Sequence, residues 1–303
     1  QQLVGMEDEE LASFLKAVSG NFALAVQTDD RITIAVDRLR TMPIFYSICN
    51  NNAFVSDDAW WVVKEANLRE ISDEAAWEYL ATGFVTGAET LVKGLLQLQA
   101  GEMVQIFTAQ NCLEKKTLRY YTFRHCEEIS DDDVLSCRLK DILLGVFARL
   151  VRELDGRTLV VPLSGGKDSR LIATMLKKLG YENVICYTYG VPGNKESIIS
   201  EEVAKCLGYP WVFVPYSSER WKQWYMSDES RKYARYCNPF SAIPHIQDWP
   251  AVLSLKEMYQ IPQDSVFIPG HSAGIGSHLT LIYHKFGPIK GQDALVRAIM
   301  DAH

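Results

Sequence analysis

Two spacings of apolar residues divide the chain. Up to about residue 122 they come in short β-rich runs, at 21–26, 31–36, 43–47 and 53–56. Gln27-Thr28-Asp29-Asp30 joins the first two runs and Asn50-Asn51-Asn52 joins the last two. Runs of this kind between tight polar turns predict hairpins. Residues 74–81 have helical spacing, and 102–107 form another strand after Gly101. The expectation is an antiparallel α+β domain over residues 1–122.

From about residue 130 the period lengthens. A helix starting near Val134 places Leu135, Leu139, Ile142, Leu143, Val146, Phe147, Leu150 and Val151 at helical intervals, and is expected to pack on the sheet that follows. Leu159, Val160, Val161 and Leu163 are a short apolar run, with Pro162 confining the strand to frayed or one-sided pairing there. A helix follows with Leu171, Ile172, Met175, Leu176 and Leu179 on one face, ending at Gly180. Residues 184–189 are a second strand. Residues 196–207 are a helix with Ile198, Ile199, Val203, Cys206 and Leu207 inward, and 211–214 are a third strand. Strand, helix, strand, helix, strand predicts a parallel sheet with right-handed crossovers over residues 130–303. Ligands of such sheets sit beyond the carboxyl ends of the strands.

That position is occupied by Leu163-Ser164-Gly165-Gly166-Lys167-Asp168-Ser169. Adjacent glycines let backbone N–H groups approach an oxyanion closely, and the helix that follows adds free amides and a positive dipole end. The Ser164 and Ser169 hydroxyls can donate to phosphate oxygens, and the Lys167 ammonium can offset their charge. Asp168 can cap the helix or hold a magnesium ion. The stretch has neither the Walker spacing nor GxGxxG. It resembles the PP-loop of enzymes that cleave ATP between its α- and β-phosphates. Two plainer alternatives are a strand-to-helix connection capped by Asp168, and a site for a phosphate outside ATP.

Composition narrows the partners. The 303 residues suffice for two domains, and 48% apolar and 23% charged residues are ordinary for a globular protein. A net charge of -7 gives no electrostatic reason to expect nucleic acid. No apolar stretch approaches the roughly 20 residues of a membrane span, and no signal peptide is recognisable. The seven cysteines are scattered without a CxxC pair, as in a cytoplasmic protein with reduced thiols. Asp131, Asp132 and Asp133 read as a helix start in preference to a metal site.

SGNFALAV, IAVDRLRTMPIFYS and FVSDDAW resemble the later strands of a class II glutamine amidotransferase domain. That domain followed by SGGKDSR is similar to the asparagine synthetase family, and the resemblance spans most of the chain. It implies an amidotransferase-like, Ntn-type first domain and a PP-loop synthetase second domain. It also implies an ATP- and Mg2+-dependent ligase that adenylates a carboxylate and passes ammonia or an amine to it, with glutamine as nitrogen source and asparagine as the default product. Lys167 and Asp168 would then be catalytic, with Asp168 at the magnesium. Leu163 to Ser169 would bind ATP, together with Tyr189 and Gly190 near the adenine and Pro269, Gly270 and His271 over the pyrophosphate.

Departures from the family pattern matter. The family's N-terminal cysteine nucleophile is not visible: the sequence opens Gln1-Gln2, and the first cysteine is Cys49, which reads as a packing residue. The expectation is a chain that starts inside its first domain and is cut short at His303; a dead glutaminase is the other explanation. The family's acidic pair is missing from Pro269 to His278, which leaves room for a non-aspartate carboxylate in a sugar, peptide or lactam precursor. An inactive nucleotide-binding regulator and an RNA-thiolating PP-loop enzyme are further alternatives. His245, Gln247 and Asp248 form a polar cluster suited to an acceptor carboxylate, although a helix start accounts for Asp248 as well. His271 is either a phosphate or substrate contact or a loop residue, and His278 a weaker case of the same. Lys195 and Glu196 read as the start of a helix. Trp60-Trp61 and 221–225 read as core or interface aromatics. The sequence leaves a homodimer open.

Overall fold

The computed structural model describes residues 6–124 and 131–271, and beyond them residues 291, 294 and 297. The chain divides into two units. The first comprises Gln1–Glu127 with Asp228–His245, and the second comprises Glu128–Ser227 with Ile246–His303.

The first unit begins with α1 (Asp8–Ala17), followed by β1 (Ala23–Gln27), β2 (Arg31–Val36), β3 (Phe45–Cys49) and β4 (Asn52–Ser56). Next come α2 (Ala59–Glu65), α3 (Asp73–Thr82), β5 (Leu96–Gln97), β6 (Glu102–Ala109) and β7 (Cys112–Arg119). One antiparallel sheet has the order β1-β2-β6-β7, and a second has β4-β3-β5. Ile34, Val36, Val104 and Ile106 of the first sheet share a buried cluster with Tyr46 of the second. Ala35 and Met103, one residue out of phase, face the opposite way and pack on Leu11 and Leu15 of α1. Phe45 likewise packs on Ala59 and Val62 of α2. Alternation along each strand thus generates four layers, helix, sheet, sheet and helix. Each fully buried large aliphatic side chain contributes about 1.5–3 kcal/mol.

The DRLR segment that follows β2 is tied down by one carboxylate. Asp37 accepts from the backbone N–H groups of Phe22 (3.3 Å), Leu39 (2.9 Å) and Thr41 (3.1 Å), and from the Thr41 hydroxyl. Burial opposes the Asp37 charge, but these four donors outweigh it and hold its pKa below the ordinary carboxylate value.

The second unit contains α4 (Asp132–Leu154), β8 (Leu159–Pro162), α5 (Lys167–Lys178), β9 (Val184–Gly190), α6 (Lys195–Leu207), β10 (Trp211–Pro215) and α7 (Ser218–Tyr225). After α8 (Asp228–Cys237), which belongs to the first unit, come α9 (Trp249–Glu257) and β11 (Val266–Phe267). The sheet is parallel, in the order β10-β9-β8-β11. Val161 and Cys186 face α4, α5 and α6, while Val160, Tyr187 and Val214 face Ala251 and Leu255 of α9. The chain runs outward from β8 in one direction to β9 and β10 and returns on the other side as β11, so the order reverses between β8 and β11. Pro162 sits where it does no harm. It pairs only toward β9, because β11 has already parted from β8.

Several expected faces shift. Phe147 and Leu154 of α4 enter the core with Leu143, Leu150 and Val151 against them, but Leu135, Leu139, Ile142 and Val146 are exposed. In α6, Ile198 and Cys206 point out and Ser197 and Ser200 point in. The inward serines are satisfied: Ser200 Oγ donates to the Ser197 carbonyl (3.0 Å) and accepts from the Thr188 hydroxyl (2.6 Å) and from Trp211 Nε1 (3.1 Å). A buried polar group costs little once bonded.

Residues 228–245 lie inside the expected second domain but pack with the first. Leu91 N donates to the Phe240 carbonyl (2.7 Å), Val85 N to Ser241 (2.8 Å) and Ile243 N to Gly83 (2.8 Å). Trp60 packs on Phe240 with 4.4 Å between ring centroids, and its Nε1 donates to the Asn238 carbonyl (3.1 Å). Trp60 is therefore a packing residue, whereas Trp61 is exposed. Cys49 ends β3 with its thiol directed at the Ala66 carbonyl (3.7 Å). Asp131 caps α4, accepting from Asp133 N and Val134 N.

Candidate active site

A cleft of about 290 Å³ opens at the carboxyl ends of β8, β9 and β11. Its floor is the segment that leaves β8: Leu163, Ser164, Gly166, Asp168 and Ser169 all line it. Gly166 is the N-cap of α5 and has no side chain to cap with, so the first amides of that helix are left for other acceptors. Asp168 lies in the first turn, where a carboxylate is favoured by the helix dipole.

The loop is held by short internal bonds. Ser164 N donates to Ser169 Oγ (3.1 Å), the two serine hydroxyls lie 3.1 Å apart, and Gly166 N donates to Ser164 Oγ (3.1 Å). Gly165 N donates to the carboxylate of Glu196, in the first turn of α6. Lys167 is the first residue of α5 and is exposed; it does not line the cleft.

The segment after β11 closes one side. Gly270 and His271 line the cleft, and Pro269 precedes them. Gly270 has to be glycine: a Cβ there would lie 2.7 Å from Ser169 N and 3.0 Å from Ser169 Cα, inside the backbone of α5. Ser272 to His278, including the second histidine, lie outside the described residues.

The wall opposite comes from β9 and the start of α9. Tyr187, Thr188, Tyr189 and Asp248 line it. Tyr189 donates its hydroxyl to Asp248 and stacks on Tyr216 at 4.9 Å between centroids. Tyr216 is pinned in turn, donating to the Gln247 carbonyl (2.7 Å) and accepting from Ala251 N (3.0 Å). Burial, then the bond to Asp248, raises the Tyr189 pKa. Burial, then the same carboxylate, does so for Tyr187. Both phenols stay protonated through the physiological range. Gly190 ends β9, and its carbonyl accepts from Tyr216 N (2.8 Å). Trp221 and Trp224 extend this aromatic group from α7.

Of the cluster expected to take an acceptor carboxylate, only Asp248 lines the cleft. It occupies the N-cap position of α9 but makes no side-chain capping bond, having helical backbone angles instead of extended ones. Gln247 contributes its carbonyl to Tyr216, and His245 belongs to the first unit, where its carbonyl accepts from Tyr233 (2.6 Å). Sequence reasoning missed Glu196, which read as a helix start. The signal was available: consecutive parallel strands place the first turns of their following helices side by side, so an acid in the first turn of α6 faces the loop after β8.

The arrangement presents helix-end amides and hydroxyls on the floor and carboxylates and phenols on the walls. It suits a polyanion that arrives with a cation. Among the described residues no three acidic, histidine or cysteine side chains are grouped to hold a metal unaided.

Comparison with known proteins agrees with this geometry. Residues 6–121 match the model of a glutamine amidotransferase domain, and residues 151–222 match that of asparagine synthase. An amidotransferase domain followed by a synthase domain defines a class of two-part, ATP-dependent amidotransferases and ligases. The chain has an asparagine synthetase-like domain arrangement. No curated protein matches it. Among solved structures it is similar to glutamine phosphoribosylpyrophosphate amidotransferase from B. subtilis, complexed with ADP and GMP. That likeness has 12% identity over 73% of this chain and a TM-score of 0.27, and spans 41% of the other chain. It is also similar to a predicted subunit of tRNA methyltransferase from Methanocaldococcus jannaschii, with 20% identity over 43% of this chain and 75% of that one, and a TM-score of 0.22. Scores this low say nothing of this chain's chemistry. Among the described residues no helix is long and apolar enough to cross a membrane.

Proposed function

We propose that the second unit activates a carboxylate with ATP and converts it to an amide, releasing pyrophosphate and AMP. The observation that carries this reading is the Ser164–Ser169 loop at the reversal point of the sheet, with Gly270, in the segment after β11, packed against its Ser169 end. A substrate carboxylate oxygen attacks the α-phosphorus, and the bond to the bridging oxygen of pyrophosphate breaks. Loop amides and the helix dipole bind the departing pyrophosphate, where negative charge accumulates. Ammonia or an amine then attacks the acyl carbon, loses a proton, and expels AMP.

Asp168 is the residue best placed to hold magnesium. That ion takes most of its ligands from phosphates and water and only one or two from protein carboxylates, so a single cleft acid beside the loop suits it. When bound it would neutralise charge on the phosphates. Lys167, the first residue of α5, is the proposed cation for the same oxygens. Asparagine from aspartate is the default product. Pro269-Gly270-His271 carries no acid, which favours testing other carboxylates, those of sugars and peptides included. Glutamine, through the first unit, is the proposed nitrogen source.

The test is pyrophosphate release from ATP with aspartate, then with a panel of carboxylates, each with ammonia or glutamine. Release that depends on a carboxylate, and a matching amide product, is expected. Nucleotide binding without release under any condition would replace the ligase by an inactive regulatory protein.

A further inference from the structure

The first three amides of the loop are all taken by side chains of the same unit. Two of the acceptors, Ser169 Oγ for Ser164 N and Ser164 Oγ for Gly166 N, are neutral hydroxyls that can turn and become donors to a ligand. The third acceptor differs in kind. The Glu196 carboxylate reaches across from α6 to Gly165 N, and lies so close over that glycine that a Cβ there would be 3.0 Å and 3.2 Å from its two oxygens. Glu196 is thus an anion seated on the loop that would receive a phosphate.

We propose that Glu196 is an internal competitor of the nucleotide, standing in for a phosphate oxygen at Gly165 N until a polyphosphate displaces it. This rests on the nucleotide reading above and adds to it a residue and a direction of effect. A carboxylate and a phosphate need the same donor and repel each other, so the two exclude one another at this amide. The exchange leaves the helix intact. Asn194 Oδ1 caps α6 by accepting Ser197 N (2.8 Å), and Glu196 takes no part in that cap. The Glu196 residue is exposed, so its carboxylate regains water when it leaves. Before a nucleotide binds, the loop is thereby kept hydrogen-bonded and closed to lone anions, and only a ligand with several phosphate contacts opens it.

Pyrophosphate binding measured by calorimetry in the presence of a chelator tests the idea on the wild-type protein, Glu196→Gln and Glu196→Ala. Removal of one like-charge contact in water is expected to tighten binding about five-fold in Glu196→Gln, and at least as much in Glu196→Ala. The gain should shrink as salt is raised, which a purely structural role would not produce. Equal or weaker binding in both variants, with melting temperatures unchanged, overturns the competitor and makes Glu196 a fixed support of the loop. If none of the three folded proteins binds pyrophosphate, the nucleotide reading falls and takes this inference with it.

Discussion

Asp37 in the first unit and Glu196 in the second are both carboxylates that collect backbone amides at a loop, and they do opposite things. Asp37 belongs to the loop it holds, is almost fully buried, and satisfies three N–H groups and a hydroxyl within four residues of itself or just before the neighbouring strand. Glu196 comes from another element, is exposed, and satisfies one amide that a ligand could satisfy as well. Burial makes the first a permanent part of the fold, because any vacancy would strand several donors away from water. Exposure makes the second exchangeable. The same chemical group is structural where the solvent is excluded and available for function where it is not.

Four substitutions test that contrast. The largest effect is expected from Asp168→Ala, which should lower carboxylate-dependent pyrophosphate release at least about a hundred-fold, on the scale of losing one charge-stabilising group. Its melting temperature should hardly move, and unchanged turnover would refute the site assignment. Asp37→Ala should do the reverse. It strands buried donors, so chemical denaturation should show the first unit losing about 2–4 kcal/mol.

The Asp37 effect also has a pH signature. Its folded pKa lies below the ordinary value of 3.8, so its stabilisation is fully present above that value and disappears as pH falls through the folded pKa. Wild type and Asp37→Ala should therefore converge in stability in strong acid and separate above about pH 4. A constant gap down to pH 2 would show that the carboxylate's charge is not what the loop uses.

Gly270→Ala tests whether the loop after β11 must touch α5. The added methyl meets backbone that cannot yield easily, so a loss of about 1–3 kcal/mol and weaker pyrophosphate binding are expected in the same variant. Wild-type values for both would mean that the two segments are independent. The smallest change is Tyr189→Phe. It removes the bond to Asp248 but keeps the stacking on Tyr216, and should cost about 1 kcal/mol or less in thermal unfolding.

Much of this molecule could be read along the chain. The hairpins of the first unit, the alternation of strand and helix in the second, and the loop at Ser164 follow from local patterns: period two, period near three and a half, and glycines at a strand end. What local pattern does not contain is the identity of a partner. The spacing in α6 predicts Ile198 and Cys206 inward, yet the inward positions go to Ser197, bonded to Asn194, and to Ser200, bonded to Thr188 and Trp211. The apolar stripe of α4 predicted burial along its whole length, but only the part from Leu143 onward meets the sheet.

The two architectures, their order and the glycine loop after β8 are legible along the chain, because these depend on spacing and on residues within a few positions of each other. Three features emerge only in the folded chain: residues 228–245 join the first unit, Asp248 faces the cleft instead of capping a helix, and Glu196 rests on Gly165. Each of those depends on groups 31 residues apart, as for Gly165 and Glu196, or as many as 178 apart, as for Trp60 and Asn238. Hydrogen bonds over such separations are fixed by packing geometry, which no local periodicity encodes.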